Sequence, residues 1–412
     1  MIALDEAQQR VLSACPVLGA ERRPLAAALG CITTERIVAS EDVPPFANSA
    51  MDGYALRSDD VASAPSALRV VDSVMAGDGR AVEVGVGEAV RIMTGAPVPD
   101  GADAVCMVEQ TRTEDEGRRV VIEVAVGPGT AIRGPGSDIA CGAEVVAPGT
   151  ELTPAHLGVI ARLGLETVCV HRRPTVGVLS TGDELREGPG ALERGAIRDA
   201  NRPMLLALLG AAGFPTVDLG IVPDDEATLR RVLTDAVATC DALVTSGGVS
   251  VGDLDVVRMV LTDLGGPSMH WMQVAIRPAK PLAFGLLDRR VPVIGLPGNP
   301  VSSLISFELF ARPALRRMQG HRDPFRPTLR ALADHDLPRR PDGKIHFVRG
   351  WARTDAEGRL HVAASGGQDS HQLKALADAN ALVVLEDGDG ARAGDEVRVL
   401  VLDGHRLGQP DG

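Results

Sequence analysis

A glycine-rich turn followed by two carboxylates is the strongest candidate for chemistry in this sequence. It lies in the stretch from Asp241 to Asp255. The apolar residues after Asp241 predict a buried strand, and the stretch Ser246-Gly-Gly-Val-Ser-Val-Gly252 predicts a sharp turn after it. A turn between a strand and a helix can bind an anion through its backbone N–H groups. Because Asp253 and Asp255 follow at once, the stretch predicts a site for phosphate together with a metal ion.

The same order of elements, an apolar strand followed by a polar turn, occurs twice more. The run Thr175–Leu179 leads into Ser180-Thr-Gly-Asp-Glu184, and Val291–Leu296 leads into Pro297-Gly-Asn-Pro-Val-Ser302. In a parallel α/β sheet such turns meet at the carboxyl edge, where ligands bind. We therefore expect one shared site, with ordinary α/β loops as the alternative interpretation.

Elements that would position these turns are indicated by length and composition. A chain of 412 residues predicts two to four domains.

The net charge of −13 argues against nucleic-acid or anionic-membrane partners. The six cysteines show no CxxC spacing, which favours buried thiols in a reducing cytoplasm. Neither GxGxxG nor GxxxxGK[ST] occurs, so neither nucleotide fingerprint is supported.

The first 172 residues predict helices on either side of a β-rich insertion. Residues 4–39 have helical periodicity, with a second helix expected over Leu25–Leu29. Helix is expected again over 151–170, with Thr153 as N-cap and Pro154 as the first helical residue. Between them, short valine-rich runs separated by turn residues predict strands. These runs cover residues 68–74, 82–84, 104–109, 119–126 and 143–146.

Residues 174–320 predict the α/β domain that carries the three turns, and residues 328–412 predict a small β-barrel or sandwich. The longest apolar run, Met204–Phe214, is too short to span a bilayer, and the N-terminus lacks the pattern of a signal peptide. We therefore expect a cytoplasmic protein.

Five motifs in a fixed order resemble the MoeA family, the molybdopterin molybdenumtransferases related to the C-terminal part of gephyrin. Three are the turns above, represented by Ser180–Glu184, Ser246–Gly252 and Pro297–Ser302. The others are Pro45-Phe-Ala-Asn-Ser-Ala-Met-Asp-Gly-Tyr-Ala55 and Arg91-Ile-Met-Thr-Gly-Ala-Pro97. The resemblance spans nearly the whole chain and implies a multidomain fold of α/β plus β type.

Four domains are implied by this resemblance. They are a discontinuous helical linker domain (1–43 and 138–172), an inserted β-rich domain (44–137), a MogA-like α/β domain (173–322) and a C-terminal β-barrel-like domain (323–412). The resemblance also implies a homodimer in the cytoplasm. Further implied partners are a molybdopterin adenylyltransferase and downstream molybdoenzyme chaperones, with no nucleic acid and no membrane.

The reaction implied by the resemblance inserts molybdate into the dithiolene of adenylylated molybdopterin, with Mg²⁺, and releases AMP. The predicted turns suit this chemistry, since Mg²⁺ prefers a few carboxylates plus phosphate oxygens and waters. By motif match, the catalytic residues are Asp52, Thr94, Asp138, Glu184, Asp225 and Asp255. Metal binding is assigned to Glu184, Asp255 and to Asp224 or Asp225, between which the sequence does not choose.

Substrate binding is assigned in the same way to the turns and to one lysine. These residues are Ser180, Thr181, Gly182, Ser246, Gly247, Gly248, Ser250, Lys280, Pro297, Gly298, Asn299 and Ser302. Molybdate binding is assigned to Arg277, Arg349 and Ser370. The resemblance further implies that Asp52, Thr94 and Asp138 act across the dimer interface. Two alternatives stay open: Asp255 as a helix N-cap, and Arg349 as a surface charge at a strand edge.

Two loops depart from the family pattern. Arg277-Pro-Ala-Lys280 has Arg and Ala where the pattern has Lys and Gly, and arginine is not equivalent to lysine as a point donor. Ala279 restricts the backbone at this position. Gly366-Gly-Gln-Asp-Ser370 has Asp369 where Gly is expected, and its charge opposes oxyanion binding unless it points away.

Two other functions remain open from the sequence. The α/β domain alone resembles ATP-dependent molybdopterin adenylyltransferases, although the surrounding domains are those of the insertase. A gephyrin-like scaffold that binds a partner peptide is the non-enzymatic alternative. The sequence does not distinguish molybdate from tungstate.

Overall fold

The computed structural model describes residues 1–249 and 256–407. The described chain forms two compact units. The large unit contains Met1–Glu21, Gly30–Ile32 and the chain from Cys169 onward, and the small unit contains Arg22–Leu29 and Thr33–Val168. The four domain boundaries predicted above stay a prediction. Within the described ranges, no helix is long and apolar enough to cross a membrane.

Elements up to residue 171 are mostly short strands. In chain order they are α1 Leu4–Ala14, β1 Ala20–Pro24, β2 Ile37–Val38, β3 Asn48–Ser49, β4 Gly53–Leu56, β5 Ser66–Val74, β6 Glu88–Ile92, β7 Ala104–Met107, β8 Thr111–Glu114, β9 Arg119–Ile122, β10 Ile132–Arg133, β11 Glu144–Val146, α2 Pro154–Arg162 and β12 Thr167–His171.

Elements after residue 171 alternate between strand and helix and then return to strand. They are β13 Val176–Thr181, β14 Leu185–Arg186, β15 Ile197–Arg198, α3 Asn201–Ala211, β16 Thr216–Val222, α4 Glu226–Thr239, β17 Ala242–Ser246, α5 Val256–Gly265, β18 His270–Gln273, β19 Ile276–Arg277, β20 Pro281–Leu287, β21 Val291–Leu296, α6 Pro300–Ser306, α7 Arg312–Met318, β22 Thr328–Ala333, β23 Leu337–Pro338, β24 Ile345–Thr354, β25 Leu360–Ala364, α8 Leu373–Asp378, β26 Ala381–Leu385, β27 Gly390–Ala391 and β28 Glu396–Val401.

The small unit is built on a six-stranded sheet with the order β7-β4-β6-β5-β9-β8. Its valine-rich strands bury apolar side chains on both faces, as the sequence predicted. The run 82–84 is not a strand, because Glu83 makes only an isolated bridge to Asp100. Residues 88–92 are a strand that the sequence analysis missed, so Arg91 and Ile92 end β6 rather than open a loop.

Helix in the predicted linker is shorter than expected. Leu25–Ala27 forms a single 3₁₀ turn instead of the helix predicted over Leu25–Leu29, since Gly30 at φ +70° ends the segment. Thr153 caps α2 as predicted, accepting from the His156 N–H. That helix ends before Gly164, at φ +74°, and the β-branched residues that follow form β12.

The large unit contains a six-stranded sheet with the order β16-β13-β17-β21-β20-β18. The first four strands are parallel to one another. Strand β20 pairs antiparallel with β21, and β18 pairs antiparallel with β20. Strands β13, β17 and β21 are buried along their whole length, as expected for strands covered on both faces. Strand β20 was not predicted.

A single long helical segment follows β21. Helices α6 and α7 are joined by a π-helical turn, Phe307–Ala311. Pro313 has no N–H to donate to the Leu309 carbonyl four residues earlier. The Gln8 Nε2 donates to that carbonyl instead, at 3.1 Å. A side chain from α1 therefore satisfies an acceptor that the proline leaves open.

The C-terminal strands of the large unit close into a ring. Strand β24 pairs with both β25 and β26, and β22 and β28 complete the circle. The short strand β19 adds to the outside of β24. This arrangement confirms the predicted C-terminal β-barrel-like domain, and with the α/β sheet it confirms the multidomain α/β plus β fold.

Candidate functional site

Three turns lie along one edge of the α/β sheet. They follow β13, β17 and β21, which are adjacent and parallel, so their carboxyl ends coincide. The turns surround a cleft of about 670 Å³. Its lining residues come from these turns and from the ends of neighbouring elements: Thr181, Gly182, Glu184, Leu185, Ile197, Asn201, Asp224, Ser246, Gly247, Gly248, Val249, Val256, Pro281, Pro297, Gly298 and Asn299.

Two glycines after β17 are required by the geometry of this cleft. Gly247 and Gly248 have φ of +99° and +67°, values that other residues rarely adopt. A Cβ at Gly247 would lie 2.7 Å from the Thr181 carbonyl oxygen. A Cβ at Gly248 would lie 2.3 Å from Val257. The turn therefore presents bare backbone to the cleft, as an anion site needs.

Carboxylates reach the cleft from two of its sides. Glu184 and Asp224 both line it and are exposed. Asp225 instead caps α4, where its side chain accepts from the Thr228 N–H at 2.8 Å. The hydrogen bonds from Thr228 hold the Asp225 pKa below its usual range. Of the two neighbours that the sequence could not separate, Asp224 is the one at the cleft.

Asn201, the first residue of α3, is a cleft residue that none of the sequence motifs indicated. Its Nδ2 donates to Ser246 Oγ at 2.7 Å and to the Gly298 carbonyl at 2.6 Å. The N–H of Asn201 donates to Asp199 Oδ1 at 3.1 Å. That same carboxylate oxygen accepts from Ser180 Oγ at 3.1 Å, which accounts for the buried position of Ser180.

Several buried polar atoms around the cleft lack a partner. Within the described part of the chain, no hydrogen bond reaches Thr181 Oγ1, Thr245 Oγ1 or Asn201 Oδ1. A buried polar atom without a partner costs about 1–3 kcal/mol, so such atoms are rare unless water, an ion or a ligand completes them. Their concentration here indicates a binding site.

Two assigned residues lie outside the described residues. They are Ser250 and Asp255. Their predicted roles, including the alternative of Asp255 as an N-cap, stay predictions.

The basic stretch after β19 is partly strained. Arg277 and Lys280 are both exposed. Between them, Ala279 is 3% exposed and has φ +72°, a left-handed conformation that is unfavourable for a residue with a Cβ. The expected backbone restriction at Ala279 is therefore present as strain. Arg277 also lines a second pocket, of about 430 Å³, together with Gln368 and Asp369.

Arg349 lies in β24 and is completely buried, so the alternative of a surface charge is wrong. Its Nη2 donates to the carbonyl oxygens of Gly367 and Asp369. Within the described residues its Nε and Nη1 have no partner. Burial lowers the Arg349 pKa, and the nearby Asp369 charge opposes that shift. Asp369 is exposed and lines the second pocket.

Ser370 connects the barrel to the cleft. Its Oγ accepts from Asn299 Nδ2 at 3.1 Å, and its carbonyl accepts from the Val301 N–H at 3.2 Å. Ser302 follows in α6 and is 5% exposed. The loop that carries Arg349's backbone partners therefore contacts the turn after β21.

In the small unit, Asp52 and Thr94 lie together. Asp52 Oδ1 accepts from both the N–H and the Oγ1 of Thr94, each at 2.7 Å. These bonds, the backbone one first, lower the Asp52 pKa and keep its carboxylate ionised. Asp138 is exposed and lies 3.9 Å from Arg162. The structure thus brings two of these three predicted residues into direct contact.

Metal-binding chemistry at the cleft depends on few protein groups. No cluster of three or more His, Cys, Asp or Glu side chains able to hold a metal occurs in residues 1–249 and 256–407. Mg²⁺ requires only one or two carboxylates when phosphate oxygens and waters complete its shell. The oxygens of Glu184 and Asp224 fit that ligand set.

Comparison with known proteins places these features in a family. Residues 2–164 match the MoeA N-terminal region (domain I and II), residues 177–317 match a "Probable molybdopterin binding domain", and residues 333–402 match the MoeA C-terminal region (domain IV). The matches follow one another in the order that the sequence motifs indicated.

Curated relatives and a solved structure cover almost the whole chain. The molybdopterin molybdenumtransferase of Haemophilus influenzae is 37% identical over 410 residues, covering 99% of this chain and 100% of the relative. Molybdopterin molybdenumtransferase 2 of Mycobacterium tuberculosis is 38% identical over 92% of this chain and 94% of its own. The molybdopterin biosynthesis moeA protein of Pyrococcus horikoshii OT3 superposes with a TM-score of 0.80 at 29% identity, over 97% and 100% of the chains. The chain therefore belongs to the MoeA family of molybdopterin molybdenumtransferases.

Proposed function

We propose that this protein is a molybdenum insertase, which transfers molybdate into the dithiolene of adenylylated molybdopterin and releases AMP in a Mg²⁺-dependent step. The observation that carries the proposal is the cleft, where the bare backbone of Gly247 and Gly248 lies beside the carboxylates of Glu184 and Asp224. Anion-binding amides and cation-binding oxygens in one cleft suit a phosphate anhydride with a divalent cation. The family of the chain specifies the molybdopterin substrate.

Glu184 and Asp224 are the described residues that would hold Mg²⁺, with Asp255 assigned by motif. When bound, Mg²⁺ supplies charge to the phosphate oxygens and lowers the pKa of a bound water. Asp225 serves α4 as its cap, so we assign it a supporting role next to Asp224. The unpartnered oxygens of Thr181 and Asn201 offer further acceptors at the same place.

The phosphates are bound in this proposal at the bare backbone of Gly247 and Gly248. Both residues hold the turn at positive φ; the Gly247 N–H donates to the Leu296 carbonyl at 3.1 Å and fixes the turn, and the Gly248 N–H faces the ligand without the obstruction of a side chain. Thr181 and Ser246 add hydroxyl groups at the ends of their strands. Lys280 adds a positive charge from the exposed loop beside the cleft-lining Pro281.

Molybdate is bound, we propose, on the barrel side by Arg277, Arg349 and Ser370. Two of the Arg349 donors have no partner in the described chain, and a guanidinium suits an oxyanion through forked donation. The hydrogen bond between Asn299 and Ser370 joins this side to the cleft. The two substrates would then meet where the turn after β21 contacts the barrel.

A second copy of the chain completes the site in this proposal, through its Asp52, Thr94 and Asp138. Mixing two inactive variants tests this directly. Asp52→Ala and Asp224→Ala proteins, unfolded and refolded together, form hybrid dimers with one intact site if the site is shared. Activity should return to about a quarter of the wild-type value for random pairing. A mixture as inactive as its components would reject the shared site.

The proposed reaction is tested with purified protein, adenylylated molybdopterin, molybdate and Mg²⁺. AMP release and active cofactor are followed together. Appearance of both supports the insertase, whereas ATP-dependent adenylylation of molybdopterin would identify an adenylyltransferase. Partner-peptide binding without any metal-dependent chemistry would identify a scaffold.

Adjacent carboxylates provide a matched pair of variants. Asp224→Asn should raise the Mg²⁺ concentration needed for half-maximal activity at least about tenfold, because a charged ligand is lost. Asp225→Asn removes the same charge one residue away, but asparagine caps a helix as well as aspartate. We expect a much smaller effect there. If Asp225→Asn raised the required Mg²⁺ concentration more than Asp224→Asn did, Asp225 would be the metal ligand.

Several broader expectations accompany this function. We place the protein in the cytoplasm, where a molybdopterin adenylyltransferase would supply its substrate and molybdoenzyme chaperones would take its product.

A further inference from the structure

Asn201 contacts the ends of β17 and β21 directly and is linked to the end of β13 through Asp199, although no recognised motif contains it. It is the first residue of α3 and is 8% exposed. Its Nδ2 reaches Ser246 after β17 and Gly298 after β21. Its N–H shares the Asp199 carboxylate with Ser180 of β13. One side chain and its backbone thus connect three segments that are distant in sequence.

The orientation of the Asn201 amide is fixed by one contact. The Gly298 carbonyl can only accept a hydrogen bond, so the side-chain atom 2.6 Å away must be the nitrogen. The oxygen therefore cannot take part in that contact. Within the described residues, Oδ1 is buried and has no partner.

A second buried asparagine shows what a purely structural role looks like. Asn380 is 0% exposed in the barrel, and its Oδ1 accepts from the Ala352 N–H at 2.6 Å. Its Nδ2 donates to the Ala352 carbonyl at 2.8 Å. Every hydrogen-bonding atom type of that amide is used. Asn201 uses its donors in the same way but leaves its acceptor open beside a cleft.

We propose that Asn201 is a positioning residue whose side chain holds the turns after β17 and β21 in their binding geometry, and that its Oδ1 is completed by a donor group or cation-bound water of the ligand. The ligand class, a nucleotide phosphate with a divalent cation, rests on the proposed function. The positioning of the turns does not, since it depends only on the contacts of the unliganded chain.

The test compares Asn201→Ala and Asn201→Asp with Asn380→Ala. Asn201→Asp has the shape of asparagine but replaces the donor nitrogen with an oxygen that repels the Gly298 carbonyl, and it buries a charge. Asn201→Ala breaks the same two contacts without adding a charge. Asn380→Ala removes a buried asparagine of equal size from the barrel. The first readout is amide hydrogen exchange of the unliganded proteins, followed at residues 246–249 and 298–299, with residues 181–184 as an internal reference.

Exchange at 246–249 and 298–299 should rise about tenfold in both Asn201 variants, since the two side-chain hydrogen bonds are lost. Exchange at 181–184 should stay the same, because the link to β13 runs through the Asn201 backbone N–H, which both variants keep. In Asn380→Ala it should rise only around Ala352 and Arg406, the partners of the lost side chain. Unchanged exchange at 246–249 and 298–299 in the Asn201 variants would overturn the positioning role, whatever the protein binds.

The second readout is AMP binding by calorimetry, with and without Mg²⁺. Asn201→Ala should weaken AMP binding at least about tenfold, while Asn380→Ala, with its comparable loss of stability, should bind as wild type does. If Asn201→Ala and Asn380→Ala weaken AMP binding equally, Asn201 has only a structural role. If the wild type itself does not bind AMP, the ligand class and the proposed function fail, and the exchange result alone decides the positioning role.

Discussion

Two buried charges in the large unit differ in how completely they are paired. Glu308 lies in the π-helical turn with its side chain 1% exposed. It accepts two hydrogen bonds from Arg326, at 2.6 and 2.9 Å. Arg349 in the barrel is 0% exposed. Of its side-chain donors, only Nη2 has a partner among the described residues, and the Nη2 partners are neutral carbonyls.

This difference leads us to interpret Glu308 as a charge with a structural role and Arg349 as a charge whose open donors a ligand would complete. A buried carboxylate that accepts two hydrogen bonds from one arginine is fully paired, and removing one partner is strongly destabilising. A buried guanidinium without a carboxylate pays for its desolvation and leaves donors open. Proteins retain such groups where function requires them. The comparison therefore predicts opposite outcomes for the removal of each charge.

The largest effect is expected for Glu308→Ala. This change leaves Arg326 half-enclosed without its partner and should lower the free energy of unfolding by about 3–5 kcal/mol. Urea denaturation measures it. Glu396→Ala is the matched control, because it breaks an exposed ion pair with Arg330, and exposed pairs contribute little. A loss at Glu308 no larger than that at Glu396 would contradict the comparison.

The next largest effect is on binding rather than stability. Arg349→Met replaces the guanidinium with an apolar side chain of similar length, so the free energy of unfolding should stay the same or rise. Molybdate affinity, measured by calorimetry, should fall at least about tenfold, because a charged donor to the oxyanion is lost. If Arg349→Met destabilises the protein as much as Glu308→Ala and leaves molybdate binding intact, Arg349 is structural.

The strained backbone at Ala279, beside Arg277, is expected to change the free energy of unfolding by a smaller amount. Ala279→Gly should relieve about 1–2 kcal/mol of left-handed strain, and it should lose about 0.4–1 kcal/mol through the greater freedom of glycine in the unfolded chain. We expect a net gain of about 0.5–1 kcal/mol by these two terms. Ala62→Gly is the control, since Ala62 has φ −58° and is exposed. Ala62→Gly should lower the free energy of unfolding, because no strain is relieved there.

The smallest effect concerns a paired carboxylate near the surface of the barrel. Burial opposes ionisation of Asp355, but hydrogen bonds from Arg359 and His361 outweigh it and lower its pKa to about 2. Because the folded-state pKa is below the unfolded value, Asp355 stabilises the fold above pH 4 or so and loses this contribution as the pH falls toward 2. Asp355→Asn should therefore narrow the difference in unfolding midpoint between pH 5 and pH 2.5. An unchanged difference would show that Asp355 does not contribute.

Features set by local chemistry were predictable from the sequence. Continuous apolar runs located β13, β17 and β21 at or near their bounds, because a strand buried on both faces must be apolar throughout. Thr153 and Pro154 marked the start of α2, since capping depends on adjacent residues. The ordered motifs also indicated the family. The helix predicted over Leu25–Leu29 failed because five residues between a proline and a glycine cannot propagate one.

Tertiary structure alone decided the roles that depend on distant partners. Asp224 and Asp225 are neighbours in sequence, and only the fold brings Asp224 to the cleft, where its N–H donates to Asp183, 41 residues away. The burial of Arg349 follows from the closure of the barrel around β24. Asn201 becomes a connector only because Ser246 and Gly298, 45 and 97 residues away, end adjacent strands. The sequence by itself thus determined which residues could do chemistry, and the fold decided which of them meet, because hydrogen bonds between remote segments leave no local pattern.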